Sequence, residues 1–213
     1  KGTLDTQAFE QAWRQLIARH EILRTRFIEV DATPYQLIES GDDFTLSIHQ
    51  LSDLPAASKQ ASGYEVLAQQ LADSDLSNEQ IASLHDFIRQ QSGHCFDLSG
   101  QPPVNVDLVV LGEGDYLLVC NLHHIVTDGW SMAIMVDELL HFYQQASEQR
   151  HTEQKDAEQK EADLPALPIQ YKDYAAWQRQ QLEDGKLDSA KAYWHGYLEG
   201  ELPQLNLMTD WPR

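Results

Sequence analysis

Along the first twenty residues apolar side chains return at Phe9, Ala12, Trp13, Leu16 and Ile17, the spacing that draws one stripe down an α-helix. Asp5 stands where a short carboxylate takes up backbone N–H groups left free by a first turn, and Leu4 and Phe9 have the spacing of a hydrophobic staple around it. Then the period changes. Leu23 to Val30 and Phe44 to Leu51, with Phe44, Leu46 and Ile48 alternating, read as strands, and Gly41-Asp42-Asp43 is the turn before the second. Ser77 and Gln80 form a capping box, Leu76 and Ile81 a second staple, and Ile81, Leu84 and Ile88 the apolar face of the helix they open, which Gly93 ends. Val104, Val106, Leu108 and Val110 alternate as a strand. Gly112-Glu113-Gly114 makes a tight turn, and Tyr116 to about His123 returns as the second arm of a hairpin.

A helix is predicted from about Ser131 to Tyr143. Gln144 to Asp163 is almost wholly Gln, Glu, Lys, Asp, Ala and Ser, the composition of a solvated loop or helix extension, and a polar surface loop is expected over 144–163. Pro168 occupies a helix-start position ahead of Tyr171, Tyr174, Ala175 and Trp177. A last helix carries Ala190, Tyr193, Trp194, Tyr197 and Leu198 on one face and stops at Gly200. Both aromatic faces read as packing surfaces rather than ligand cages. There is no internal repeat, and the order of elements predicts an α+β or α/β chain in one lobe.

Composition narrows the function classes. With 213 residues, 42% hydrophobic content and 6 Phe, 5 Trp and 8 Tyr, the chain holds enough apolar surface for an ordinary core. Fifteen Lys and Arg stand against 34 Asp and Glu, a formal charge of −19, which repels phosphate backbones and anionic membranes. No cluster of basic residues offsets it, so neither nucleic acid nor membrane is an expected partner. The longest apolar run, Tyr116 to Leu122, is strand-sized and broken by Asn121. The chain opens on Lys1 with no charged-then-apolar leader and reads as a cytoplasmic piece of a longer protein. Cys95 and Cys120 form no Cys-x-x-Cys unit and lie in apolar settings, as two buried thiols of a reducing compartment would.

The informative block is Leu122-His123-His124-Ile125-Val126-Thr127-Asp128-Gly129-Trp130-Ser131, running from a strand end to a helix start. Side chains alternate across a strand, so His123 and His124 point to opposite faces and are not expected to hold one metal together. No other His, Cys or Glu group has ligand spacing, and no metal site is assigned. One imidazole is free to face a cleft while the other bonds within the core. Asp128 is close enough to fix the turn through backbone N–H groups, an imidazole or an Arg. Gly129 permits close backbone approach or a positive φ. Imidazole titrates near neutrality, which suits general acid–base work, and no nucleophile elbow accompanies the block.

His123-His124-x-x-x-Asp128-Gly129-Trp130-Ser131 resembles the signature of the condensation domains of nonribosomal peptide synthetases, whose wider group has the chloramphenicol acetyltransferase fold. Arg19-His20-Glu21-Ile22-Leu23-Arg24-Thr25-Arg26-Phe27 resembles a second motif of that family. Phe96-Asp97-Leu98 with Pro102-Pro103, then Tyr171 to Trp177, then Tyr193-Trp194 and Leu207 to Arg213 follow in the family's order. The likeness spans nearly the whole chain. It departs in three respects. The family's first motif and C-terminal lobe are absent, and Asn105 stands where relatives often carry Arg.

The resemblance implies an α/β sandwich, the N-terminal lobe of a condensation domain over residues 1–213, with a mixed sheet packed by helices. It implies an acyltransferase that forms an amide between two thioesters held on the 4'-phosphopantetheine arms of upstream and downstream carrier proteins, beside an adenylation domain. The chain itself is expected to bind no cofactor. His124 is the expected base, Asp128 the support of the turn and histidine, Gly129 the residue that keeps a tunnel open, and His123 structural. Arg24 is expected as a substitute charge partner for Asp128, with Trp130 and Ser131 in support. Thr25, Cys120 and Trp177 are expected in the core. Glu21 and Trp130-Ser131-Met132 resemble the class that joins two L-configured units. Two other readings stay open: a carrier-docking or gating lobe without chemistry, and a coenzyme A-dependent acyltransferase of the same fold. Alone, this chain is expected to catalyse poorly.

Overall fold

The computed structural model describes residues 2–57, 69, 71, 75–151 and 164–203, and the chain divides into two compact units, Lys1–Gln170 and Tyr171–Arg213. In the first unit, helix α1 spans Thr6–Arg19, and Asp5 caps it by accepting from the Gln7 and Ala8 N–H groups at 3.0 Å each. Its stripe of Ala8, Phe9, Ala12, Trp13, Leu16 and Ile17 is buried, as the periodicity requires.

The strand expected over Leu23–Val30 is shorter than its pattern. Glu21–Arg24 forms a 3₁₀ turn, and strand β1 begins at Thr25 and ends at Val30. It pairs with an unexpected partner, β2 (Thr33–Ile38), in an antiparallel hairpin. The two-residue turn places Asp31 and Ala32 at φ of 50° and 59°, the conformation of a type I′ turn. Nothing in Asp-Ala announces that turn, which is why the hairpin leaves no mark in the sequence pattern. Strand β3 is Ser47–Gln50, and helix α2 is Asn78–Ser92, opened by the Ser77/Gln80 capping box with both bonds made.

Strands β4 (Val104–Gly112) and β5 (Asp115–Leu122) form the expected hairpin, in register from Val104 against Leu122. Strand β3 lies parallel to β4 on its other side, so β4 is central in a mixed sheet ordered β3-β4-β5. Alternation then sorts the side chains. Val106 and Leu108 face α1 and helix α3 (Gly129–His151), joining Trp13, Leu16, Met135 and Leu139 in one cluster. Val109 faces the other way, onto Leu84 and Phe87 of α2 and onto Leu51. The sheet is therefore covered by helices on both faces, an α/β sandwich.

Helix α3 runs well past the expected Tyr143, to His151, so the polar stretch begins as a helix extension; residues 152–163 of the expected surface loop lie outside the described residues. The second unit holds helices α4 (Tyr171–Glu183) and α5 (Asp188–Tyr197). Neither contains a buried residue. Trp177, expected in the core, is 54% exposed. Thr25 is buried as expected and donates its hydroxyl to the Glu21 carbonyl at 2.7 Å. Cys95 is exposed rather than buried; Cys120 is partly covered. No helix among the described residues is long and apolar enough to cross a membrane.

Candidate active site at the end of strand β5

The site begins where the β4–β5 ladder runs out. The His123 N–H donates to the Pro103 carbonyl at 3.1 Å, extending the ladder by one rung, and the Val126 N–H returns to the His123 carbonyl at 3.0 Å, closing a turn. Val126 plugs this turn into the core cluster around Trp13. Strand β5 has ended at Leu122, so the two histidines stand in this turn rather than in the expected strand alternation, and they differ in burial and bonding. His123 is half-buried; its Nδ1 accepts the Ile125 N–H at 3.0 Å, and its ring meets Phe96 edge to face with centroids 6.2 Å apart. An Nδ1 that accepts leaves the proton of the neutral ring on Nε2. His123 is thereby a turn-forming residue. His124 is exposed, and no hydrogen bond of its imidazole is found among the described residues, which leaves the ring accessible to a reactant.

Asp128 fixes the other side of the turn. Its Oδ1 accepts the Ser131 hydroxyl at 2.7 Å and the Ser131 N–H at 2.8 Å, while its carbonyl accepts the Met132 N–H at 3.1 Å. It is the N-cap of α3, and Ser131 is the residue it holds. The Ser131 hydroxyl first, then the Ser131 and Trp130 N–H groups, keep the Asp128 carboxyl below the usual carboxylate range. An anion at the positive end of a helix is favourable in itself. Trp130, the second residue of α3, stands 81% exposed.

Two expected roles change. Arg24 is not the charge partner of Asp128: its Nη1 donates to the Glu39 carbonyl and its Nη2 lies 4.0 Å from Glu21. The 3₁₀ turn that precedes β1 aims it at the β2 end, where its Cδ lies against Gly41. Gly129 needs no special backbone, since its φ is not positive and a Cβ there would meet nothing within 4 Å. What its missing side chain leaves is open space in front of the α3 terminus. Asn105 also looks elsewhere, donating to Gln91 and Asp107 at 3.3 Å each.

Sequence reasoning missed the support behind His123. Phe96 lies against it, and Asp97 holds the following turn by accepting the Ser99 N–H at 3.0 Å and the Ser99 hydroxyl at 2.7 Å. A Cβ on Gly100 would stand 2.5 Å from the Asp97 carboxylate, so a larger residue there would push this carboxylate from its place. No periodicity marks such a contact, because Phe96 is brought to His123 by the sheet. A cavity of about 740 Å³ between the β1–β2 end and the strand β4 start is lined by Arg24, Glu39, Phe44 and His94, and His124 is not part of its wall. Among the described residues no three His, Cys, Asp or Glu side chains gather to hold a metal ion.

The chain is similar to known proteins over its whole length. The family description "Condensation domain" matches residues 1–213. The chain is 34% identical over 213 residues to a linear gramicidin synthase of Brevibacillus parabrevis, and 34% identical over 214 residues to a surfactin synthase of Bacillus subtilis. Each alignment uses all of this chain but only 4% and 5% of those proteins. Among solved structures, the X-domain in complex with OxyB from teicoplanin biosynthesis superposes with a TM-score of 0.71 at 25% identity, over all of this chain and 39% of that one. The epimerization domain from the third module of a tyrocidine synthetase has the same fold, with a TM-score of 0.61 at 24% identity over 99% of this chain and 40% of that one.

Proposed function

The chain belongs to the condensation-domain family, and from that premise we propose that it serves amide formation between two carrier-bound thioesters in nonribosomal peptide synthesis. The observation that carries this reading is the exposed imidazole of His124 on a turn fixed from both sides, by His123 and by the Asp128 cap. The donor is an acyl or aminoacyl thioester on one phosphopantetheine arm. The acceptor is the free α-amine of an aminoacyl thioester on another. The amine nitrogen adds to the donor carbonyl, His124 takes or orients the proton that the nitrogen sheds, and the C–S bond breaks as the new C–N bond is completed. The departing thiolate gains a proton, and the acceptor arm carries the lengthened chain. No covalent enzyme intermediate is required.

General-base help of this kind adds about 10²–10⁴-fold, and alignment of two tethered reactants supplies several kcal/mol more. His124 is the catalytic residue of the proposal; Asp128, Ser131 and His123 position it. Gly129 leaves room for an arm to approach. Carrier proteins, an adjacent adenylation domain and a second lobe are the partners this reading requires, in the cytoplasm. The L-to-L assignment rests on Glu21 and Trp130-Ser131-Met132 alone.

A second reading has its own support. The X-domain of teicoplanin biosynthesis is similar across the whole chain, and its structure was solved in complex with OxyB. A lobe that recruits a protein without performing transfer fits that likeness. The deciding experiment is a single-turnover transfer read by intact-protein mass spectrometry. Aminoacyl donor and acceptor carriers are mixed with this chain, with the chain joined to a C-terminal lobe, and with His124→Ala forms of both. A dipeptidyl acceptor that depends on His124 upholds the first reading. Carrier binding without transfer, with both lobes present, replaces it with the second. Soluble coenzyme A thioesters as donors test the remaining acyltransferase reading.

A further inference from the structure

The polar contacts between α1 and α3 lie at the two ends of α1, with an apolar seam between. At the N-terminal end, the Asp5 N–H donates to the Tyr143 hydroxyl at 3.1 Å and the Arg150 Nε donates to the Asp5 carboxylate at 2.8 Å. At the C-terminal end a single carboxylate oxygen, Glu138 Oε2, accepts Arg19 Nε at 3.0 Å and meets His20 Nε2 at 2.6 Å. The Glu138, Arg19 and His20 side chains are 13%, 15% and 22% exposed. Gln170 completes this second node: its Nε2 donates to the Arg19 carbonyl at 2.9 Å and its Oε1 accepts the Glu21 N–H at 3.2 Å. The end of α1 is thus held through its side chains by α3 and through its backbone by Gln170.

The seam between the nodes is Trp13, Leu16 and Ile17 against Met135 and Leu139. Packing of interdigitated side chains sets the broad crossing of the two helices, and being non-directional it leaves the fine adjustment of sliding and rotation to polar contacts. Hydrogen bonds with charge on both partners fix both. Glu138 is the polar anchor nearest to the active-site turn. Asp128 lies ten residues back towards the N-terminus, roughly 15 Å at 1.5 Å per residue, so a small change at the anchor is magnified there.

We propose that Glu138, gripping Arg19 and His20, is a positioning residue for the His124–Asp128 turn: it sets the placement of α3 on α1, and thereby where His124 stands. The role rests on the proposed transfer chemistry only for its consequence, since the placement itself can be read without any substrate. It also accounts for why Arg19 and His20 stand together at the end of α1. A carboxylate alone beside a helix C-terminus is unfavourable, and the pair of nitrogens compensates it.

The test is amide hydrogen exchange on the chain, comparing the parent with Glu138→Gln, which keeps the shape and removes the charge. Exchange at residues 125–132 is expected to quicken by about ten-fold or more, with Val106 to Val110 in the central strand unchanged. Unchanged exchange at 125–132 overturns the proposal, and so does an equal quickening throughout both segments. Should Glu138→Gln fail to fold, Arg19→Lys keeps the charge but loses the guanidinium geometry, and it is read in the same way. In the transfer assay, Glu138→Gln is expected to lower the maximal rate about ten-fold while half-saturating carrier concentrations stay within two-fold. Local exchange that quickens as expected, while the parent chain joined to a C-terminal lobe transfers nothing, leaves the anchor standing and removes the amide-forming reading.

Discussion

Helix α1 and helix α5 carry the same kind of pattern and meet different fates. Phe9, Trp13, Leu16 and Ile17 recur along one as Tyr193, Trp194, Tyr197 and Leu198 do along the other. The first set is buried; the second set is 49–68% exposed. Between them lies the sheet in the order of the chain. The α1 stripe meets Val106 and Leu108 of β4, whereas no buried residue is found in α4 or α5. Helical periodicity therefore states that a face is built to pack. It does not state against what, and an amphipathic helix is worth its apolar area only where a complementary surface removes that area from water.

Breaking the buried side should cost most. Trp13 is fully buried between Phe44 and the strand β4 side chains, and Trp13→Ala is expected to destabilise by about 3–5 kcal/mol, measured as a shift of the urea midpoint at unchanged slope. Asp5→Ala removes the α1 cap and the Arg150 contact. About 1 kcal/mol is expected, nearly all from the cap, because the ion pair is part-exposed and screened.

Acid sharpens the same side. The carboxyl groups of Asp5, Asp97 and Asp128 are each held below the ordinary carboxylate range, by the Ala8 N–H, the Ser99 hydroxyl and the Ser131 hydroxyl first. A group with a depressed folded pKa stabilises fully above its unfolded value and loses that contribution as pH falls towards the folded one. Stability should thus hold from neutrality down to the ordinary carboxylate range and decline below it. Asp5→Asn should make the decline shallower, as read by urea midpoints against pH.

Smaller effects test the exposed side. His124→Ala should leave the midpoint within about 0.5 kcal/mol, as exposed substitutions do, while His123→Ala, which loses the Ile125 bond, should lower it measurably more. Trp194→Ala in this chain should also stay within about 0.5 kcal/mol, although its face is as aromatic as that of Trp13. A large loss there would show that α5 is covered in solution. Cysteine reactivity gives the least costly check. Burial, with the nearby Asp107 charge, pushes the Cys120 thiol up to about 11. The exposed Cys95 should therefore alkylate first, followed by mass spectrometry at mildly alkaline pH.

Much of this protein is legible along the chain because the signals are local. The Asp5 cap, the Ser77/Gln80 capping box and the alternation of Val104 to Val110 each follow from geometry within a few residues. The α/β sandwich and the family likewise follow from patterns and motifs that stand in order. Other features needed the third dimension. The Asp31-Ala32 turn is made by its strands, which impose a conformation the two residues do not advertise. Arg24 turns to Glu39 because β2, which no local pattern announces, lies beside it. Phe96 reaches His123, and Glu138 reaches Arg19 and His20, across 27 residues in one case and more than a hundred in the other. Sequence alone determined which residues could cap, alternate and ionise. Only the tertiary structure decided which of them meet, because contacts between distant segments are set by how the sheet and helices pack and leave no period in the chain.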